Sequence, residues 1–135
     1  MPEPAYKAYI PSPDILKVVQ GVDIAAQAEN LKKLKQIALL KDGWNGYGAV
    51  SIPNDTLCKA QRLIRTLNVQ PEIFPTADGN IQMEYEKDNG DYLEFQFTGE
   101  GICEVFRLMR GNEEYFSLPD NASSINELVD AFYGF

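Results

Sequence analysis

The chain has 135 residues, 44% of them hydrophobic and 11% aromatic, and carries a formal net charge of −8; so much apolar content excludes a disordered chain and describes one folded, acidic domain. It contains no histidine, which removes the commonest general base, the commonest metal ligand and every histidine-activated nucleophile. Cys58 and Cys103 are its only cysteines, too few for a structural zinc site or a disulfide framework, and they read as two buried thiols in a reducing compartment.

Residues 1–22 hold Pro2, Pro4, Pro11 and Pro13, which lack amide donors and bias the residues before them away from helix. The segment reads as an extended, proline-rich arm, with 23–135 as a single domain. Its Tyr6, Tyr9 and Ile10 suit packing on the domain or exchange between subunits, which would make a homo-oligomer. No basic stretch followed by an apolar run marks a secretory signal, and Lys32, Lys33 and Lys35 break the longest apolar candidate for a membrane span. The cytoplasm is the expected location, with no membrane contact.

From Val22 to Lys41, Ile24, Ala28, Leu31, Leu34, Ile37 and Ala38 recur at three and four residues and predict a helix, closed by Asp42-Gly43. A second helix is predicted over Pro53 to Leu67, with Leu57, Ala60, Leu63, Ile64 and Leu67 on one face and a proline in its first turn. The two would form an antiparallel pair. After Asn68 the apolar period drops to two: Ile81, Met83 and Tyr85 alternate with polar residues, as do Leu93, Phe95 and Phe97. Asp88-Asn89-Gly90 between these runs is a tight-turn signal. Thr98-Gly99-Glu100-Gly101 and Arg110-Gly111-Asn112 set off further strands near Ile102 to Met109 and Glu114 to Leu118, and Glu72 to Thr76 adds a short edge strand. A capping box at Ser124 and Glu127 then opens a last helix with Ile125, Leu128, Val129 and Phe132 on one stripe. The expected class is α+β: two N-terminal helices and one C-terminal helix packed on one face of a four- to five-stranded antiparallel meander sheet.

The most unusual segment is Asp42-Gly43-Trp44-Asn45-Gly46-Tyr47-Gly48-Ala49, between the first two helices. Its glycines permit sharp backbone turns while Trp44 and Tyr47 anchor the loop, either as a cap on the core or as an aromatic docking surface. Its spacing matches no phosphate-binding loop. The run Trp44-Asn45-Gly46-Tyr47-Gly48-Ala49, with Pro53, Ala60, Pro75, Asp78-Gly79, Ile81, Met83 and Glu84-Tyr85, resembles a family of small uncharacterised bacterial and phage proteins. That family has the pattern W-[DN]-G-Y-G-A followed by P-x-x-D-G-x-I-x-[LM]-E-[WY]. Asn45 stands where Asp is common and Tyr85 where Trp is common. The resemblance spans roughly 40–86 and implies a fold unit and a bacterial setting, with no established activity.

Charge is divided along the chain: residues 1–70 carry a net +3 and residues 71–135 a net −11. Glu84, Glu86, Glu94 and Glu104 fall on the polar side of the predicted strands and would make an acidic outer sheet surface. Glu84 and Glu94 as a cross-strand catalytic pair lack a cleft, and Cys58, among Lys59, Arg62 and Arg65, lacks a base partner. No catalytic residue, metal site or cofactor is expected, and a pI near 4.5 disfavours nucleic acid as a partner. The expected function is non-enzymatic binding of another protein, in the manner of small acidic antitoxin or immunity proteins. The candidate binding residues are Trp44, Asn45, Tyr47, Asp78, Glu84 and Tyr85. The alternative is a small-molecule or nucleotide-handling protein with a pocket near Trp44, Asp78 and Glu84.

Overall fold

The computed structural model describes residues 23–135; the arm at 1–22, and oligomerisation through it, lie outside the described residues. Three helices, α1 (Ile24–Ile37), α2 (Asn54–Thr66) and α3 (Ala122–Tyr133), accompany five strands. These are β1 (Glu72–Pro75), β2 (Ile81–Glu86), β3 (Tyr92–Phe97), β4 (Ile102–Met109) and β5 (Asn112–Pro119). The strands pair antiparallel in chain order, β1-β2-β3-β4-β5, so the α+β meander holds and takes the fifth strand.

Alternation decides which side chains enter the core. Ile73, Met83, Leu93, Phe95, Cys103 and Val105 share one face of the sheet and are at most 2% exposed. Leu34 and Ile37 of α1, Ala60, Leu63 and Ile64 of α2, and Ile125, Val129 and Phe132 of α3 join them in one cluster. All three helices therefore cover the same face, and the opposite face bears no described helix.

The first helix is shorter than its apolar period. It ends at Ile37, with Ala38 as its C-cap, and turn hydrogen bonds from Leu39 and Leu40 back to Gln36 and Ile37 tighten the chain before Asp42 is reached. That turn returns Leu40 to the core and leaves Leu39 77% exposed. Ile24 is also exposed, while Asn30 is buried because its amide donates to the Pro71 carbonyl at 2.8 Å and to Gln70 Oε1 at 2.9 Å. Gln27 Nε2 donates to the carbonyls of Ile64 and Arg65, which sets the start of α1 against the end of α2 in an antiparallel pair. The capping box is corrected: Asn121, not Ser124, caps α3, its Oδ1 accepting from the Ser124 amide at 2.8 Å. Both residues suit an N-cap, and the helix takes the earlier one, gaining a turn. The cysteines also divide: Cys103 is buried, but Cys58 is exposed on α2. Burial, followed by the Asp120 carboxylate, pushes the Cys103 thiol up to about 12.

Asp91 joins two turns. Its Oδ1 accepts from the Arg110 amide at 2.9 Å across to the β4–β5 turn, and its Oδ2 lies 3.3 Å from Lys87 Nζ. The Arg110 amide, helped by Asn89 and Lys87 and opposed by burial, holds the carboxyl below its ordinary range. A carboxyl depressed on folding stabilises the fold at neutral pH, and that contribution is lost as the pH falls below about 4, where the unfolded chain takes up the proton more readily. Asp91→Asn should therefore lower the urea midpoint at pH 7 and reduce its fall between neutral and acid pH; an unchanged acid profile would sink this assignment.

Candidate functional site

The connection between α1 and α2 is a loop held by its own polar groups. Asp42 Oδ1 accepts from the Ser51 amide at 2.9 Å and closes the base. Asn45 Oδ1 accepts from the amides of Tyr47 at 2.8 Å and Ala49 at 3.3 Å, the short-range side-chain turn that Asn and Asp favour. Gly46, at φ +84°, reverses the chain in a region that a side chain would strain. Trp44 is half-buried, and its Nε1 donates to the Val50 carbonyl at 2.9 Å. Ala49 and Ile52 enter the interior.

The outcome separates the two aromatic residues. Trp44 braces the loop, whereas Tyr47 is 85% exposed at its outer end. The Val50 amide donates to the Ala77 carbonyl at 3.0 Å, so the loop is tied to the β1–β2 turn that carries Asp78. Asn45→Ala should cost about 1 kcal/mol, because two amides lose a fixed acceptor, while Asn45→Asp should stay within about 0.5 kcal/mol. Denaturant unfolding of the two variants tests this, and equal costs would show that the shared acceptor does not hold the loop.

The remaining candidates scatter. Asp78 is exposed and accepts from the Thr76 hydroxyl within its own turn. It borders an open groove of about 550 Å³ with Thr56, Asn80, Gln96, Thr98 and Glu104; neither Trp44 nor Glu84 lines this groove, so the three residues of the pocket alternative do not converge. Tyr85 belongs to the core: it is 3% exposed, its hydroxyl donates to the Val69 carbonyl at 2.7 Å, and its ring meets Phe95 edge-on at 6.2 Å. Glu84 stands on the sheet face that no described helix covers, opposite Glu72 on one side and Glu94 on the other.

That face carries the glutamates expected from the sequence and, in the same row, aromatic residues that were not expected there. The row Glu72, Glu84, Glu94 continues through Phe106 to Tyr115 across all five strands. Phe106 lies 4.9 Å from Tyr115 and 6.0 Å from Tyr92, ring centroid to ring centroid. Tyr92 donates its hydroxyl to Glu94 at 2.8 Å; partial burial and the carboxylates of Glu94 and Glu84 hold that hydroxyl well above its ordinary range. The aromatic half escaped the sequence reading because β4 is apolar at both parities, Ile102, Phe106 and Leu108 on one side and Cys103, Val105 and Met109 on the other.

Among the described residues, no group of three or more acidic or thiol side chains is placed to hold a metal ion, and no helix is long and apolar enough to cross a membrane. Comparison with family models, curated proteins and solved structures finds no match.

Proposed function

We propose that this chain is a non-enzymatic protein-binding module whose docking element is the loop around Tyr47. The observation that carries the reading is a large aromatic side chain held 85% exposed on a backbone fixed by its own hydrogen bonds. Tyrosine supplies contact area at little cost in rotamer entropy, and a loop already rigid loses little more on binding. A small acidic binder of the antitoxin or immunity type is the version we favour. The bacterial setting follows from the W-N-G-Y-G-A resemblance. Cys58 and Cys103 as free thiols suit the cytoplasm.

The test is affinity capture from the lysate of the source cell with wild type and Tyr47→Ala, which should share one melting temperature because the side chain packs on little. A protein retained by the wild type and lost by the variant is the expected result. Identical captured proteins from both would overturn the assignment of the loop.

A further inference from the structure

We infer that the sheet face on which no described helix lies is a second docking surface, and that its occupant is a lysine- or arginine-rich segment of another protein with apolar side chains beside its cations. The inference rests on the reading of the chain as a protein-binding module and adds the chemistry of a partner. Three observations support it.

The first is charge. The outward positions of the five strands include six glutamates and no lysine or arginine. Glu84 and Glu94 are direct cross-strand neighbours, a like-charge placement that weakens a sheet. Among the described residues, their side chains take hydrogen bonds from neutral donors, the Gln82 amide and the Tyr92 hydroxyl. Cations from a partner would relieve this repulsion and would be steered toward the face.

The second is the aromatic half of the same row. Tyr115 is 76% exposed beside Phe106 and Tyr92, and exposed ring faces take guanidinium and ammonium groups. The β1 end of the sheet already shows this contact: Lys33 Nζ of α1 sits 4.5 Å from the Phe74 ring centroid. Carboxylates and rings in one row therefore favour a segment with both positive and apolar side chains, rather than a free cation.

The third is size. Strand spacing of about 4.8 Å and a rise of about 3.3 Å per residue make the face roughly 20 Å on a side, or about 400 Å² in projection. That width and length accommodate one extended chain segment laid across the strands. A second copy of the face would bring six further glutamates and no lysine or arginine at its outward positions. The arm at 1–22, with Glu3, Lys7, Asp14 and Lys17, has balanced side-chain charge and offers no complement.

The experiment follows backbone amide shifts of the full chain during titration with a synthetic peptide of alternating arginine and leucine, with the glutamate-leucine peptide as control. Shifts should concentrate at Glu84, Glu94, Phe106 and Tyr115, and the control should produce none. Tyr115→Ala should weaken binding about fivefold through the lost ring. The double variant Glu84→Gln/Glu94→Gln should weaken it about tenfold and flatten its salt dependence. Shifts scattered over all acidic residues, or affinity unchanged in both variants, would overturn the proposal. So would a silent face with Overhauser contacts to residues 1–22 or to a second copy. Tyr47→Ala should leave the peptide affinity unchanged, which separates the two readings. Loss of peptide binding with Tyr47-dependent capture intact defeats the sheet alone, and the reverse pattern defeats the loop alone.

Discussion

Phe95→Ala should remove about 3–5 kcal/mol of folding stability, the range for deleting a buried phenylalanine. Phe95 is 0% exposed at the middle of β3, the central strand, and meets Tyr85 edge-on at 6.2 Å. Loss of the ring forfeits its transfer from water and leaves a void walled by both layers, which a close-packed interior refills only in part. Against the roughly 5–15 kcal/mol by which a domain of this size is stable, that loss is a substantial fraction of the total. Urea unfolding should show a much lower midpoint with little change in slope. Ile102→Ala is the matched control, because Ile102 is 43% exposed on the face that no described helix covers, and it should cost less than about 1 kcal/mol. Equal costs for the two would contradict the one-sided core.

Gly79→Ala should cost about 2–5 kcal/mol, from two sources that a second variant separates. Gly79 and Gly99 both have φ near +86°, a conformation costing an L-residue about 1–2 kcal/mol. A Cβ at Gly99 would meet open space, whereas one at Gly79 would fall 2.9 Å from Val50 Cγ2 and 3.3 Å from the Ser51 carbonyl oxygen. Overpacking of this kind adds about 1–3 kcal/mol. Gly99→Ala should therefore cost only the backbone part, and Val50→Ala should recover some of the difference when combined with Gly79→Ala. Non-additivity in that double-mutant cycle would place the β1–β2 turn in direct contact with the base of the Tyr47 loop. Strict additivity would remove that contact from the account of how the loop is held.

What could be read in the sequence was whatever local periodicity encodes. The three- and four-residue spacing of Leu31, Leu34 and Ile37, and the alternation of Ile81, Met83, Tyr85 and of Leu93, Phe95, Phe97, all turned their apolar sides to one core. Asp88-Asn89-Gly90 lies between β2 and β3 as expected. What escaped depends on partners distant in the chain. Asn30 looks like a surface residue until Pro71, 41 positions away, supplies its acceptor. The exposure of Tyr47 cannot be ranked from residue type, since tyrosine suits both core and surface, whereas the alternation along β2 already turned Tyr85 inward. The row of rings on the face that no described helix covers arises from register between strands, and Phe106 opposite Tyr115 is a pairing that only the two-residue turn at Arg110-Gly111 fixes.

The order of the strands also bears on how fast the molecule forms. Each strand pairs with the one before it through a connection of two to five residues, so every hairpin closes a short loop at small entropic cost. Low sequence separation between paired residues places folding toward the rapid end for a chain so rich in β-structure, because few distant segments must meet before a ladder grows. The β4–β5 hairpin, with the longest strands and the tightest turn, is the one expected to close first. A substitution at Gly111 should accordingly slow folding more than it speeds unfolding.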